Sequence, residues 1–329
     1  MSDDLEAAQL GDERAFERLV APFRRELKAH CYRMLGSAQD AEDAVQESLL
    51  AAWRGLAGFS GQSSLRTWLY RVTTNAALRL IEQRPKRLRS MDYAPSRTTT
   101  ADLGEMVPGP HWLEPCLDAE LGVDPSSRFL ERESVELAFV AALQHLPGLQ
   151  RAAVMLREVL EFSAEETAEL LGTTVPSVNS ALQRARKTLD ERTQGPAQRA
   201  ELAALGDDGQ RELVRDFLSA WERADLEALS RMFTADVRFT MPPLPAWFDG
   251  RTDVLRFFSE RVFALSWRFT PLRCNGQLGF CAFMKEPGGA VYQRAGINLL
   301  AVHSGQIIEI ASFLDPELCN TFGLPAELP

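Results

Sequence analysis

The side chains best suited to chemistry lie between residues 175 and 190, where small polar and basic residues recur on one face of a predicted helix. These residues are Ser177, Ser180, Gln183, Arg184 and Lys187. The opposite face carries the apolar stripe Val178, Leu182, Ala185 and Leu189. Hydroxyl, amide and guanidinium groups can hydrogen-bond to base edges and phosphates, while an apolar stripe packs the helix onto its domain. The pattern favours a DNA-contacting helix over the alternative, an amphipathic helix of an ordinary bundle.

The residues before this helix predict a helix-turn-helix motif. Ser163 and Glu166 form a capping box, in which the hydroxyl and the carboxylate each bind a free amide at the start of a helix. Gly172 permits a tight turn, and Thr174 with Pro176 can begin the second helix. In such a motif the second helix enters the major groove of DNA.

Residues for covalent or metal chemistry are few. Five cysteines stand at positions 31, 116, 274, 281 and 319 without a CxxC pair, and no P-loop, Rossmann fingerprint or HExxH motif occurs. We therefore expect no catalytic residue, no metal and no cofactor. Scattered thiols are typical of a reducing compartment, which predicts a cytoplasmic protein.

Charge is strongly segregated along the chain, although the sum over 329 residues is −10. Residues 38–50 carry four acids and no base, whereas residues 55–97 are strongly basic and residues 98–133 are acidic again. Because local charge decides where a phosphate backbone can dock, the acidic total does not exclude a nucleic-acid partner. No apolar run is long enough to span a membrane and the start lacks the pattern of a signal peptide, so we expect no membrane partner.

Periodicity and composition predict a multidomain protein. Residues 5–90 and 131–193 have helical spacing and predict two all-α domains, joined by an acidic segment, 91–130, that contains several prolines and has no sustained periodicity. After residue 206 two short helices (about 209–233) precede segments of β-strand character, with hairpin signals at Gly288-Gly289 and Ser304-Gly305. Residues 207–319 therefore predict a third domain of the α+β class. The predicted strands are 237–241, 267–274, 280–285, 290–303 and 306–314.

Several of these motifs together resemble the sigma-70 family of bacterial RNA polymerase initiation factors, and in particular its extracytoplasmic-function group. The resemblance is carried by residues 40–50 (DAEDAVQESLL), residues 59–72 (FSGQSSLRTWLYRV), Asn75, Leu146-Pro147 and the helix-turn-helix that ends at Arg186. It implies that residues 5–90 are region 2, a helical bundle that binds core polymerase and recognises and melts the −10 element. Residues 131–193 would be region 4, which reads the −35 element. Core RNA polymerase and promoter DNA are the implied partners.

The resemblance assigns the acidic helix to polymerase. It implies contacts with the clamp of the β′ subunit, and a further contact of the factor with the β flap. The implied clamp-binding residues are Asp43, Gln46, Glu47 and Leu50. Carboxylates one turn apart form a stripe that a basic partner helix can pair with. For a single acidic helix taken alone, the ordinary interpretation is a solvated face.

The resemblance also implies two DNA-binding surfaces. The −10 surface would comprise a loop of small residues that can close around an unstacked base, and the helix after it: Phe59, Ser60, Gly61, Gln62, Ser63, Ser64, Arg66, Arg71, Asn75 and Arg79. We expect Trp68, Tyr70 and Val72 to pack in the core, and Arg84, Lys86, Arg87 and Arg89 to contact phosphates unless they form a solvated basic tail. The −35 surface would comprise Ser177, Asn179, Ser180, Gln183, Arg184 and Lys187. Relatives often carry a basic residue at the positions of Asn179 and Ala181, so we expect either an unusual −35 preference or weaker binding to this element.

The remaining residues resemble the SnoaL-like, cone-shaped α+β fold, and a linker motif of sigma factors that carry this domain matches Trp112, Leu113, Glu114 and Pro115. A small apolar ligand is one expectation, because an aromatic group could line a pocket or simply form the core: Phe217, Trp221, Met241, Trp247 and Phe257. We expect the domain to modulate the sigma activity. Two alternatives are a ligand-responsive helix-turn-helix regulator and, with less support, a SnoaL-like enzyme with accessory helices. Some proteins of this fold use an Asp–His acid–base pair, for which the resemblance offers His303, Asp253 and Asp315, but no spacing brings these residues together.

Overall fold

The computed structural model describes residues 2–122, 136–193 and 197–329. Its helices are α1 (Ser2–Gln9), α2 (Glu13–Val20), α3 (Arg24–Leu35), α4 (Ala38–Gly55), α5 (Leu65–Gln83), α6 (Ser90–Tyr93), α7 (Asp118–Leu121), α8 (Leu137–Leu143), α9 (Gly148–Val154), α10 (Ala164–Leu170), α11 (Val175–Arg192), α12 (Gln198–Glu222), α13 (Leu226–Met232), α14 (Arg251–Glu260) and α15 (Pro316–Thr321). Its strands are β1 (Phe233–Thr240), β2 (Trp247–Asp249), β3 (Ser266–Cys274), β4 (Gln277–Lys285), β5 (Tyr292–His303), β6 (Gln306–Phe313) and β7 (Glu327–Leu328).

The chain divides into two compact units. The first contains Met1–Arg87 and Asp118–Gln194, and the second contains Leu88–Leu117 and Gly195–Pro329. The first unit is helical, whereas the second combines the sheet with helices. Residues 123–130 of the predicted linker and the first residues of predicted region 4, 131–135, lie outside the described residues.

Local hydrogen bonds explain where the long helices of the first unit begin. The Ser37 side chain accepts a bond from Asp40 N at the start of α4, and the Ser64 side chain accepts one from Thr67 N at the start of α5. Gly36 ends α3 with a φ of 71°, a conformation that glycine adopts without a steric penalty. The interior between α3, α4 and α5 is filled by large side chains with almost no exposed surface: Leu27, Tyr32, Met34, Leu69 and Tyr70.

The predicted helix-turn-helix is confirmed. Ser163 and Glu166 form both bonds of the capping box at the start of α10, and the Thr174 side chain accepts a bond from Ser177 N at the start of α11. Gly172, in the turn between them, has a φ of 60°. The predicted apolar stripe of α11 is buried along its length: Val178, Leu182, Ala185 and Leu189.

The helices of predicted regions 2 and 4 share one core. The ring of Tyr70 on α5 lies 5.5 Å from that of Phe162, which precedes α10. Gly148 at the start of α9 approaches α5 closely, since a Cβ atom there would lie 3.0 Å from Leu78 Cδ2. The sequence predicted two separate helical domains. In the structure both sets of helices belong to the first compact unit.

The second unit is built on one mixed sheet with strand order β2-β1-β6-β5-β4-β3, to which β7 adds by pairing with β5. β1 and β6 are parallel, and the other pairs are antiparallel. The helix α12 is broken at Gly206 and packs against β3, β4 and β5, while α14 packs against β1 and β2. Aromatic residues fill the space between helices and sheet: Phe217, Trp221, Phe233, Phe258 and Phe280.

The five predicted strands correspond to β1, β3, β4, β5 and β6, and both predicted hairpin signals lie between paired strands. Ser304 and Gly305 both have positive φ, as a two-residue hairpin turn requires. The sequence did not predict the short strand β2 or the helix α14. The first predicted helix corresponds to the part of α12 after the break at Gly206, and the sequence did not predict the part before it, which begins at Gln198.

The segment Leu88–Leu117 has little regular structure, as its sequence indicates, but it is part of the second unit. Leu88 N donates to His111 O (2.8 Å) and Leu113 N donates to Leu88 O (3.1 Å), so the two ends of the segment lie side by side. Between them, Arg97 N donates to Trp247 O and Trp247 Nε1 donates to Ala94 O. The segment therefore forms a closed loop on its own unit.

Candidate nucleic-acid and polymerase interface

The helix α11 presents a polar face to solvent. All six predicted −35 residues are exposed: Ser177, Asn179, Ser180, Gln183, Arg184 and Lys187. At 100° per residue Ser177, Ser180, Arg184 and Lys187 share one side of the helix, and Asn179 lies at its edge next to Gln183. Ala181 is buried, so its lack of a basic side chain does not alter the exposed face. This face can donate to and accept from base edges and phosphates.

The predicted polymerase-binding residues also share one face, on α4. Gln46, Glu47 and Leu50 are exposed and Asp43 is half-buried. Leu50 is 57% exposed, which is high for a large apolar side chain and gives the acidic stripe an apolar contact point. Asp43 Oδ1 accepts a bond from Gln39 Nε2 (3.1 Å). The face combines two carboxylates, an amide and an apolar group, which suits a basic partner helix that also carries apolar side chains.

The predicted −10 loop is exposed except at two positions. Ser60, Gly61, Gln62 and Ser64 are exposed, while Phe59 and Ser63 are half-buried. The Phe59 ring lies 5.2 Å from that of Trp68, and Gln9 Nε2 donates to Phe59 O (2.9 Å). These contacts hold the start of the loop in place, and the small residues that follow remain exposed.

The helix α5 brings together three of the four predicted −10 residues that it carries. Arg71, Asn75 and Arg79 are exposed and follow each other at four-residue spacing, so they form one stripe. Arg66 does not share this stripe. It lies on the opposite side of α5, forms a salt bridge with Glu26 (3.1 Å), and its guanidinium lies 4.8 Å from the centre of the Tyr70 ring.

The basic residues after α5 differ from their predicted role as phosphate contacts. Arg87 is 5% exposed and donates to Asp40 Oδ2 (2.5 Å), and Arg84 pairs with the other oxygen of Asp40. Arg89, half-buried in the second unit, pairs with Glu309. Arg87 and Arg89 therefore form ion pairs inside their units. The sequence did not predict these pairs, because the partner residues are far away in the chain. Burial would raise the pKa of Glu309, but Arg89 and Arg238 outweigh it, and the pKa is lowered.

A buried polar pair between α3 and α5 was not predicted from the sequence. His30 on α3 is fully buried, with its Nε2 2.9 Å from Thr74 Oγ1 on α5. Desolvation, together with the positive charges of Arg33 and Arg66, lowers the pKa of His30 to about 3. The imidazole is therefore neutral in the folded protein at ordinary pH.

The linker motif lies within the second unit. Trp112, Leu113 and Pro115 are buried and Glu114 is half-buried. Trp112 Nε1 donates to Val107 O (2.9 Å), and its ring lies 5.2 Å from that of Tyr93. The motif closes the loop that begins at Leu88.

The second unit contains an apolar cavity of about 400 Å³. Of the five predicted pocket residues, Trp221, Met241 and Phe257 line it, whereas Phe217 and Trp247 do not. The proposed acid–base residues are not part of its lining. His303 is bound to Glu201 (3.0 Å), and Asp253 is paired with Arg256. The pKa of Glu201 is lowered by the bond from Ser304 N and by the bond to His303.

Within the described residues no cluster of His, Cys, Asp or Glu is arranged to hold a metal ion. In the same part of the chain, no helix combines the length and the apolar character that crossing a membrane requires.

Comparison with known families matches three parts of the chain. Residues 19–87 match Sigma-70 region 2, residues 136–189 match Sigma-70 region 4, and residues 214–310 match a SnoaL-like domain. The region 2 match contains the exposed faces of α4 and α5, and the region 4 match contains the polar face of α11.

Comparison with individual proteins agrees with these family matches. The ECF RNA polymerase sigma factor SigG of Mycobacterium tuberculosis is 40% identical over 332 residues, which cover 96% of this chain and 86% of SigG. The RNA polymerase sigma-H factor of Pseudomonas aeruginosa is 32% identical over 190 residues, 58% of this chain and 92% of that protein. The crystal structure of the Mycobacterium tuberculosis extracytoplasmic function sigma factor SigJ has the same fold, with a TM-score of 0.60 at 21% identity over 93% of this chain and 99% of SigJ. The resemblance and the fold class predicted from the sequence are confirmed: the chain belongs to the extracytoplasmic function sigma factors of the sigma-70 family, with a C-terminal SnoaL-like domain.

Proposed function

We propose that this sigma factor binds core RNA polymerase through the exposed face of α4 and directs it to promoters with a −35 and a −10 element. The proposed clamp-binding residues are Asp43, Gln46, Glu47 and Leu50, with the clamp of β′ as their partner and the β flap as a second partner of region 4. Polymerase acts in the cytoplasm, which is the proposed location. The observation that carries the proposal is the pair of exposed polar stripes on α5 and α11 within the two matched sigma regions.

The proposed −35 residues are the six exposed side chains of α11, with Arg184 as the best base reader because guanidinium can bind guanine in two places. The proposed −10 residues are the small residues of the 59–64 loop with Arg71, Asn75 and Arg79. Arg66 is left out because Glu26 and Tyr70 engage it. The proposed domain bounds remain 5–90, 131–193 and 207–319, with the linker between the first two.

The packed arrangement of the two helical regions in the first unit is proposed to be the arrangement of the protein when it is not bound to a promoter. A unit of this size has a radius of gyration of about 15 Å. The −35 and −10 elements are about 25 base pairs apart by their names, or roughly 85 Å along B-form DNA. The faces of α5 and α11 can reach both elements only if the two helical regions separate.

The second unit is proposed to regulate that separation by holding the linker as a closed loop. While Leu88 is bound beside Leu113, the residues from Leu88 to Leu113 add no length to the connection between the two helical regions. Release of the loop adds these residues to the connection, and they span up to roughly 85 Å when fully extended. A shorter connection restricts the two regions more strongly, so docking of the loop favours the closed arrangement.

Promoter-specific transcription with purified core polymerase tests the function. Full-length protein should direct transcripts from a defined start, and the Arg184→Ala variant should lose this activity while Arg223→Ala, an exposed arginine outside both sigma regions, keeps it. If the full-length protein binds DNA but does not direct core polymerase to start transcription at a promoter, the alternative of a simple helix-turn-helix regulator is supported.

Binding of a small apolar ligand in the second unit is a second candidate function. Trp221 lines the cavity, and its Nε1 donor is buried with no hydrogen-bond partner in the described residues. Leu103 and Met106 of the linker form part of the wall, so a ligand would contact the loop directly. Binding of the fluorescent probe 1-anilinonaphthalene-8-sulfonate to full-length protein should weaken in Ala282→Trp, which fills the cavity. Equal probe binding by both proteins would contradict the site.

A further inference from the structure

The turn after α4 presents backbone carbonyl groups at the point where the predicted −10 loop begins. The last carbonyl groups of a helix have no partner inside it and are bonded by water or by side chains from elsewhere. After α4 the chain makes one turn of 3₁₀ helix, Leu56–Gly58, and Phe59 then continues in an extended conformation with a ψ of 108°. Phe59 N donates to Leu56 O (3.0 Å), which closes the turn.

One side chain of α1 bonds to both ends of this turn. Gln9 Nε2 donates to Leu56 O (3.2 Å) and to Phe59 O (2.9 Å), and these partners lie 47 and 50 positions away in the chain. Both acceptors are carbonyl oxygens, so only the NH2 end of the amide can bond to them, and its two hydrogens suffice for both bonds. Gln9 therefore fixes the place where the loop leaves α4.

The helix that carries Gln9 is itself held in place. Arg18 on α2 forms a salt bridge with Asp4 on α1 (2.6 Å), which joins the two helices. The Phe16 ring of α2 lies 5.1 Å from the Trp53 ring of α4. The amide of Gln9 thus connects a packed pair of helices to the backbone at the start of the loop.

The other end of the loop is held by a local bond. The Ser64 side chain accepts a bond from Thr67 N (3.0 Å) at the start of α5. Between the two held ends Ser60, Gly61 and Gln62 are exposed, and Gly61 has a φ of 73°. A loop that is fixed at both ends has fewer conformations to lose when it closes around an unstacked base, so binding of the base costs less entropy.

We propose that Gln9 is a positioning residue for promoter melting, which prepares the 59–64 loop to take up an unstacked base of the −10 element. The inference rests on the function proposed above for that loop. Gln9 acts through the backbone of Leu56 and Phe59 and does not contact DNA itself. Without its two bonds the loop must be ordered each time it takes up a base, so the complex with melted DNA is less stable.

Hydrogen exchange of the Phe59 amide in full-length protein tests whether Gln9 holds the turn. Gln9→Met keeps the approximate length of the side chain and removes the donor, so exchange should rise several-fold. Leu10→Ala, at a neighbouring side chain that is 90% exposed, is the matched control and should leave exchange unchanged. Gln9→Lys supplies a new donor and should return exchange toward the level of the unmodified protein. No rise in Gln9→Met, or an equal rise in Gln9→Lys, would overturn the proposal.

Promoter opening with core polymerase measures the consequence for melting. On duplex DNA, Gln9→Met should reduce opening about fivefold to tenfold, which corresponds to one or two ordinary hydrogen bonds, and Leu10→Ala should not reduce it. On a template that is already unpaired across the −10 element the reduction should be smaller, because opening no longer limits the reaction. An equal reduction on both templates would indicate a general loss of stability and would overturn the positioning role.

The two measurements separate this proposal from the function on which it rests. If the unmodified protein directs no transcription, the proposed function fails, and the exchange of the Phe59 amide still decides whether Gln9 holds the turn. If exchange rises in Gln9→Met while opening of duplex DNA stays unchanged, the bonds stabilise the turn without serving melting, and the proposal is overturned.

Discussion

Arg79 Nη2 donates a 2.7 Å hydrogen bond to Glu47 Oε1, and this pair joins the proposed promoter-reading stripe of α5 to the proposed polymerase-binding face of α4. Both side chains are about half exposed, and a surface pair of this kind contributes at most about 1 kcal/mol. A basic partner that takes up Glu47 therefore frees Arg79 at little cost. We therefore expect polymerase binding and the readiness of α5 for DNA to be coupled through this contact.

Charge reversal on α4 should abolish polymerase binding. In an Asp43→Arg, Glu47→Arg double variant, positive charge replaces the stripe that pairs with a basic partner. We expect loss of core polymerase in a pull-down with an unchanged circular dichroism spectrum, since neither residue is buried. Glu17→Arg, an exposed acid on α2, serves as the control. Full retention of polymerase by the double variant would remove α4 from the interface.

Promoter reading should depend on Arg184. Loss of one good base contact costs about 1–3 kcal/mol, so Arg184→Ala should reduce transcription from −35-dependent promoters about 10- to 100-fold while polymerase binding persists. The measurement is run-off transcription on templates with and without a −35 element. An equal reduction on both templates would assign Arg184 to a phosphate and not to a base.

Stability of the first unit should fall as pH is lowered, because of His30. Its folded pKa of about 3 lies below the unfolded value near 6.5, so the unfolded chain binds a proton that the folded state excludes. The contribution of neutral His30 to the free energy of unfolding is present above pH 6.5 and is lost as the pH falls below that value. The loss between pH 7 and pH 5 is about 2 kcal/mol. Urea unfolding at both pH values measures it, and His30→Gln should reduce the difference. A His30 resonance that titrates near pH 6.5 would contradict the assignment.

Packing between the helical regions should restrain promoter activity. Gly148→Leu places a side chain where even a Cβ atom would lie 3.0 Å from Leu78 Cδ2, so the contact between α9 and α5 should weaken. We expect higher transcription at unchanged polymerase binding. Gly209→Leu is the control, because Gly209 belongs to the second unit. Unchanged or reduced transcription in Gly148→Leu alone would argue against a restraining closed state.

Features set by local hydrogen bonds and periodicity were predictable from the sequence. The capping box of Ser163 and Glu166, the turn at Gly172 and the buried stripe of α11 each involve residues within a few positions of one another. The same holds for the acidic stripe on α4. The family resemblance added the role of each domain.

Features set by distant partners were not predictable. Arg87 and Arg89 read as a basic tail because Asp40 and Glu309, their partners, lie 47 and 220 positions away. The docking of the linker loop also escaped prediction. Its anchors are backbone groups, such as Leu88 N and Arg97 N, which carry no pattern in the side chains. The pairing of Arg66 with Glu26 depends on the packing of α3 on α5, which periodicity alone does not determine.

The linker motif should control regulation through Trp112. Its buried ring and its bond to Val107 O hold the loop closed beside Leu88, and removal of a buried tryptophan side chain costs about 3–5 kcal/mol. Trp112→Ala should therefore open the loop, lengthen the tether between regions 2 and 4 and change promoter activity several-fold. Hydrogen exchange of residues 95–115 measures loop opening, and transcription at several salt concentrations measures the outcome.

Trp112→Phe keeps a buried aromatic ring but loses the Nε1 donor and part of the packed volume, so it should cost less than Trp112→Ala. We expect partial loop opening and a correspondingly smaller change in transcription, with polymerase binding equal in all three proteins. If the exchange of residues 95–115 rises in Trp112→Ala while transcription stays at the level of the unmodified protein, the loop opens without consequence. The second unit then has another task, and the cavity beside Trp221 becomes the place to look for it.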